Sequence, residues 1–352
     1  MADATTPVRE GMGFDNAALA TWLMDNMLGS AIPLKVAQFS GGQSNPTYRL
    51  TTPSGQFVLR HKPPGPLLKG AHDVMREARV MQALAASSVP VPSILAVCED
   101  ADVIGTPFFI MEMVDGRIFW DAAFRDLPIA QRSAYFDAMN ATMAKLHAVD
   151  PVAVGLGDYG RAGNYFARQI ARWTRQYQED ALAGRNPDMD ALVEWLPKTI
   201  PRDDETRIVH GDFRCDNLIF HPDRPEVLAI LDWELSTLGH PLADFAYHAM
   251  MYRVPGDIVA GIGGLDPGEL GLPDEAAYVA AYCHRTGRPR IDNWEFYIAF
   301  NLFRLAAIFH GIKGRVLRGN AVSAQASERA SNFPRLAVLA REAMERCGCI
   351  SR

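Results

Sequence analysis

The stretch Val209-His210-Gly211-Asp212-Phe213-Arg214-Cys215-Asp216-Asn217-Leu218-Ile219-Phe220 decides how the rest of this chain is read, together with Val227-Leu228-Ala229-Ile230-Leu231-Asp232-Trp233-Glu234 a few residues on. Leu218–Phe220 is a short apolar run, and His221-Pro222-Asp223-Arg224-Pro225 is dense in turn formers. The second apolar run ends at Asp232. Paired as a hairpin, the two runs place Asn217 and Asp232 at one open end, an amide oxygen beside a carboxylate. Hard oxygen donors of this kind suit a Mg²⁺ ion that also touches phosphates. Asp212 lies in the loop entering the hairpin, where a carboxylate can accept a proton from a hydroxyl. A metal clamp, an oriented hydroxyl and a base are the parts that phosphoryl transfer needs.

Upstream of this segment, strand signals fall at 36–40, 47–51, 57–60, 94–98 and 108–114, with turn residues between them. A helix is expected at 16–28 and another at 72–86, the latter with Val74, Ala78, Met81 and Ala85 along one stripe. After Asp115-Gly116 the pattern becomes helical, at 130–149, 165–182, 188–196, 241–252, 275–284, 294–317 and 326–346. Sheet first and helices afterwards is an α+β plan. The lobe boundary is expected near 113–116.

The spacing His-x-Asp-x-x-x-x-Asn with a downstream Asp fits the kinase pattern of catalytic loop and metal aspartate. His210-Gly211-Asp212 with Asn217, and Asp232-Trp233-Glu234, resemble the aminoglycoside phosphotransferase and choline kinase superfamily. More closely, the chain resembles the kinase-like domain fused to acyl-CoA dehydrogenases in animals, and its free-standing bacterial relatives. The likeness runs through 38–48, 58–68, 105–113, 209–247 and the segment around Arg304. It implies a protein-kinase-like two-lobed fold. A nucleotide-binding lobe at 1–113 would hold a small five-stranded antiparallel sheet with one main helix. A mostly helical catalytic and substrate-binding lobe would follow at 114–352.

The resemblance also implies roles. Asp212 is the expected base, and Asn217 and Asp232 the metal ligands. Gly41, Gly42, Gln43 and Ser44 are the expected loop over the phosphates of ATP, since small residues let backbone N–H groups approach closely. Arg60 stands in place of the usual strand lysine, with Glu77 as its ion-pair partner. Glu112 and Met113 are the expected hinge for the adenine. Asp244 would brace the catalytic loop, with His210 as a structural hydrogen-bonder within it. Two departures stand out. Arginine keeps the charge of lysine but is planar and forked, so altered nucleotide geometry is expected. His240 replaces the acidic residue that commonly begins the following helix, which would weaken its cap. His147 reads as an interlobe or capping residue.

Blander readings exist for each feature. Asp and Asn favour turns, Gly41-Gly42 fits a plain hairpin, and Arg60 with Glu77 fits a surface ion pair. The joint spacing favours the catalytic reading. No phosphate-binding Gly-x-x-x-x-Gly-Lys-Ser/Thr run occurs, and the glycines at 261–264 break the dinucleotide fingerprint. No flavin fingerprint is found.

The acceptor has no motif. Residues 291–352 carry nine Lys or Arg and five Asp or Glu, a net +4, so the other 290 residues carry −10 of the total −6. A cationic segment suits an anionic acceptor better than a polycationic drug. Arg214, Arg304 and Arg315 are the candidate acceptor contacts, with Lys313 and Arg318 beside them. Resemblance to the fused kinases implies a hydroxyacyl-CoA or hydroxy acid. Two other classes stay open: a nucleotide-binding pseudokinase or regulatory module, and an aminoglycoside or macrolide kinase. ATP or GTP preference and oligomeric state stay open too. The net charge of −6 without a basic run argues against nucleic acid or an anionic membrane as partner. Five scattered cysteines, no signal-like start and no long apolar stretch lead to the expectation of a cytoplasmic protein.

Overall fold

The computed structural model describes residues 5–27, 31–40, 45–63, 73–320 and 324–349. The chain clusters into two compact units. The first comprises 1–118, 152–156 and 216–236, and the second 119–151, 157–215 and 237–352. The division is therefore not the expected single cut near residue 113. The segment after Asp216 groups with the N-terminal sheet because it hydrogen-bonds there: Arg117 and Phe220 exchange both backbone bonds at 2.8 Å. Gly116 permits this approach, since a Cβ on it would meet Ile219 Cγ2 and the Phe220 carbonyl at 2.4 Å.

In the first unit, a six-stranded antiparallel sheet runs in the order β1-β2-β3-β4-β6-β5. Its strands are β1 (Thr5–Thr6), β2 (Lys35–Phe39), β3 (Thr47–Thr52), β4 (Gly55–His61), β5 (Ile94–Cys98) and β6 (Phe108–Glu112). Five of these match the expected runs. The sixth, β1, pairs Thr5 with Phe39 at the edge, and two residues are too few to show a period. Helix α1 (Asn16–Asn26) begins at Asp15, whose side chain accepts from the amides of Ala17 and Ala18. Helix α2 (Val74–Leu84) begins at Asp73. Leu28 and His72, the expected outer ends of these helices, lie outside the described residues.

Strand β4 lies inside the sheet, and its faces have different fates. Leu59 joins Tyr48, Leu50, Phe108, Ile110 and the α1 residues Leu19 and Leu23 in one apolar core. Arg60, one position on, points to the opposite face by the period of two. There it meets Glu77, which lies on the buried side of α2 with Val74, Ala78, Met81 and Leu84. The helical stripe thus carries one carboxylate among its apolar residues, and the strand delivers one cation to it.

The second unit holds α3 (Ile129–Ala148), α4 (Tyr165–Glu179) and α5 (Pro187–Trp195), then β7 (Arg207–Val209). The chain next enters the first unit with the hairpin β8 (Leu218–Phe220) and β9 (Val227–Ile230). It returns through β10 (Thr237–Gly239), α6 (Pro241–Ala249), α7 (Glu275–Thr286), α8 (Trp294–Leu317) and α9 (Ala324–Cys349). Strands β7 and β10 pair antiparallel, Val209 opposite Thr237. Helix α8 is apolar on nearly every side, as a helix enclosed by its neighbours must be; α4, α6 and α9 pack on it. Among the described residues no helix is long and apolar enough to cross a membrane.

Candidate active site

Each unit carries one cluster of the expected residues. In the first unit, β8 and β9 pair with Leu218 opposite Ile230, and the Leu231 amide donates to the Asn217 carbonyl at 2.8 Å. Asn217 and Asp232 therefore stand at the same end of the hairpin, as the sequence predicts. Asp232 adopts the left-handed conformation at φ +63°, which Asp tolerates better than most residues. The turn after it is fastened from inside. Trp233 is buried, its indole N–H donates to the Ile230 carbonyl at 2.9 Å, and the Ser236 hydroxyl donates to the Trp233 carbonyl at 2.5 Å.

Arg60 connects this turn to the sheet. Its Nη2 donates to Asp232 Oδ1 at 2.5 Å and its Nη1 to the Thr47 hydroxyl at 3.3 Å. Its Nε lies 2.9 Å from Glu77 Oε2, a close ion pair whose N–H is not aligned for a hydrogen bond. The fork that was expected to clamp phosphates is here directed at two protein carboxylates and a hydroxyl. Burial pushes the Glu77 carboxyl up to about 7, and Asp232 and Glu234 push the same way against the pull of Arg60. Asn45, which the sequence reading did not select, donates to Glu77 Oε1 at 2.6 Å and is fully buried. Its place directly after the glycine run was the available signal. Gly41, Gly42, Gln43 and Ser44 themselves lie outside the described residues. Glu112 ends β6 opposite Phe57, with Met113 next in the chain.

In the second unit, β7 feeds the loop 210–214. The buried Asp244 carboxylate, in the first turn of α6, accepts from the amides of His210 at 2.7 Å and Gly211 at 2.8 Å. His147 Nε2 lies 3.2 Å from the same carboxylate, and its Nδ1 2.7 Å from the Tyr282 hydroxyl. Burial alone would raise the Asp244 carboxyl. The bond and charge of His147, with His210, hold it below the usual carboxylate range instead. His147, expected as an interlobe or capping residue, lies in the last turn of α3 and braces Asp244 within this unit. Gly211 sits at φ +85°, which a side chain would oppose. His210 Nδ1 accepts from the Asp212 amide at 3.2 Å.

Further along the loop, His248 Nδ1 donates to the Phe213 carbonyl and its Nε2 accepts from the Tyr278 hydroxyl at 2.6 Å. Burial pushes His248 down to about 4, consistent with this neutral, half-donor arrangement. Asp212 itself accepts from the Tyr247 hydroxyl at 2.5 Å. Tyr247, Tyr282 and His248 escaped the sequence reading. Only the i, i+3 spacing of Asp244 and Tyr247 on α6 hinted at a shared direction.

Two expectations change. His240 does cap α6: its Nδ1 accepts from the Leu242 amide at 3.2 Å. Burial lowers its pKa to about 4, so the ring stays neutral and able to accept. The basic residues of α8 do not form one acceptor-facing row. Arg304 donates to the Gly211 carbonyl at 3.1 Å, Lys313 to the Ala183 carbonyl at 2.7 Å, and Arg318 pairs with Asp180, while Arg315 is exposed. Helical spacing drifts over three turns, so residues eleven apart need not share a destination. Arg214, half-buried, stays close enough to Tyr247 for its charge to act on the phenol.

By its family and its structural relatives the chain is a small-molecule kinase of protein-kinase-like fold. The chain belongs to the phosphotransferase enzyme family, whose profile matches residues 35–297. It is 46% identical over 340 residues to mouse "Acyl-CoA dehydrogenase family member 10", covering 96% of this chain and 32% of that protein. The chain thus spans about a third of that relative's length. A Ralstonia eutropha crystal structure, provisionally assigned as an aminoglycoside phosphotransferase, shares 49% identity and a TM-score of 0.86 over 95% of this chain and 99% of its own. A choline kinase from Cryptosporidium parvum shares the fold at 12% identity, TM-score 0.63, over 94% of this chain and 97% of its own.

Proposed function

We propose that this chain transfers the γ-phosphoryl group of ATP to a hydroxyl on a small acylated acceptor, of the hydroxyacyl-CoA or hydroxy-acid class. The observation that carries the reading is the loop and hairpin 210–232. Its backbone is anchored at His210 and Gly211, and its register sets Asn217 beside Asp232. In this reading Asp212 takes the proton of the acceptor hydroxyl as its oxygen bonds to phosphorus. The bond from the γ-phosphorus to the bridging oxygen breaks, and ADP leaves with that oxygen.

The donor set suits a magnesium ion, because an amide and a carboxylate oxygen at one hairpin end are hard ligands. Asn217 and Asp232 would hold it, and it would offset phosphate charge. Glu112 and Met113 would meet the adenine, and residues 41–44 with Arg60 the phosphates. Arg60 then has a second task, since it also holds Asp232. The acceptor class is supported by the acyl-CoA dehydrogenase name of the mouse relative and by the cationic balance of residues 291–352.

The deciding assay is coupled ADP release from MgATP across 3-, 4- and 5-hydroxyacyl-CoAs, free hydroxy acids, choline and kanamycin. Asp212→Asn is the control, expected to lose about 10²–10⁴-fold in turnover with nucleotide affinity unchanged. Release that depends on a hydroxyacyl compound and vanishes in the variant supports the proposal. Release with kanamycin alone would move the chain to drug modification. One observation favours a second reading, a nucleotide-binding regulatory module: the guanidinium of Arg60 is engaged by Thr47, Glu77 and Asp232. Nucleotide binding without release to any acceptor would favour it.

A further inference from the structure

We infer that Tyr247 is a positioning residue for Asp212, its phenol holding the carboxylate that receives the acceptor's proton. The inference deepens the phosphotransfer reading and rests on it. Tyr247 donates to Asp212 Oδ1 at 2.5 Å from the last turn of α6. Three residues earlier on that helix, Asp244 holds the amides of His210 and Gly211. One helical face therefore fixes both the backbone of the loop and the side chain that the loop presents. Main-chain bonds leave the two side-chain torsions of an aspartate open. A bond to one carboxylate oxygen removes most of that freedom, and orientation of this kind is a large part of what a positioned base contributes.

The phenol suits the task chemically. Burial raises its pKa, and the Asp212 charge raises it further, so the hydroxyl keeps its proton and remains a donor. A neutral donor stabilises the charged carboxylate without forming the ion pair that an arginine would make, and a base so paired would be weakened far more. Arg304 supports the arrangement. Its guanidinium lies 5.2 Å from the centre of the Tyr247 ring, and its Nη2 donates to the Gly211 carbonyl at 3.1 Å. This explains why the arginine expected to meet the acceptor is turned toward the loop. The Arg214 charge also acts on the phenol, and His210 Nδ1 accepts from the Asp212 amide.

The test compares wild type, Tyr247→Phe, Asp212→Asn and the double variant, reading ADP release from MgATP with hydroxyacyl-CoA acceptors, KM for ATP and thermal melting. Removing the hydroxyl is expected to lower kcat about tenfold to a hundredfold, the scale of one hydrogen bond to a charged group. KM for ATP should stay unchanged, and the melting temperature should fall by no more than one lost hydrogen bond accounts for. On the Asp212→Asn background, the Phe substitution should cause no further loss, because its effect runs through the carboxylate. A Tyr247→Phe enzyme as fast as wild type, beside an inactive Asp212→Asn, overturns the inference and leaves phosphotransfer intact. Equal losses on both backgrounds overturn it as well, since a general structural role acts independently of Asp212. If wild type and Asp212→Asn are indistinguishable, the phosphotransfer reading fails and the inference falls with it.

Discussion

The guanidinium of Arg60 stands between two carboxylates: Nη2 donates to Asp232 Oδ1 at 2.5 Å, and Nε lies 2.9 Å from Glu77 Oε2. One side chain thereby ties β4, α2 and the turn that ends the hairpin. A lysine carries a single ammonium and could not span both partners with separate nitrogens. The substitution that looks conservative in sequence is therefore a change of connectivity.

Arg60→Lys should fold and should lose about 1–3 kcal/mol of stability, the cost of leaving one buried acceptor less well satisfied. Arg60→Met should lose more, about 3–5 kcal/mol, because it leaves Glu77 as a buried carboxylate with its cation removed. Urea unfolding of the three proteins checks this. Equal midpoints would show that the bridge contributes nothing to stability.

Asn217→Ala removes one oxygen from the end of the hairpin. The expected result is a higher Mg²⁺ concentration for half-maximal ADP release, with the fold intact because Asn217 is bonded into the hairpin through its carbonyl. A Mg²⁺ response identical to wild type would take Asn217 out of the metal set.

Asp244→Ala strands the buried amides of His210 and Gly211 and removes the partner of His147. Unmet buried donors cost about 1–3 kcal/mol each, so a loss of about 3–5 kcal/mol is expected, with turnover falling as the loop loosens. Hydrogen exchange at His210 and Gly211 reads the loosening directly. Unchanged protection there would contradict the bracing role.

Acid should destabilise the protein well above the carboxylate range. His240 and His248 are both pushed down to about 4 by burial, against about 6.5 in the unfolded chain. Between these values the unfolded chain takes up protons that the folded protein refuses, so stability falls as pH falls. Above about 6.5 both forms are neutral and the two groups add no slope. At pH 5 each histidine should account for about 2 kcal/mol of lost stability. His240→Asn keeps a capping oxygen and should flatten the decline by roughly that amount. A slope unaltered in the variant would mean that His240 is protonated within the folded protein.

Much of the fold was legible because its elements are local. The alternation of 47–51, the short apolar run of 57–60 between turn residues, the stripe on α2 and the largely apolar sequence of α8 each sit within one element, and period and turn chemistry suffice to read them. The two-residue β1 was not legible, because its pairing with Gln38 and Phe39 exists only once the edge of β2 is formed. The hairpin was legible for the same local reason as the strands: two apolar runs and a turn fix which residues share an end.

The roles of single side chains divide along the same line. Asp212, Asn217 and Asp232 lie close in sequence, so spacing alone singles them out. Arg60 was found as a cation on a strand and Glu77 as a carboxylate on a helix. That Arg60 would also take hold of Asp232, 172 residues away, follows from how the hairpin groups with the sheet. Asn45, His147, Tyr247 and Tyr282 act through contacts 32 to 135 residues apart, and no periodicity records such partners. The sequence by itself determined the α+β class and the hairpin, and it singled out the candidate set Asp212, Asn217 and Asp232, because each is written in short-range pattern. Only the tertiary structure decided that His240 caps, that Arg304 serves the loop, and that Tyr247 holds Asp212. A hydrogen bond depends on where two atoms meet, and chains distant in sequence meet only after the cores between them have packed.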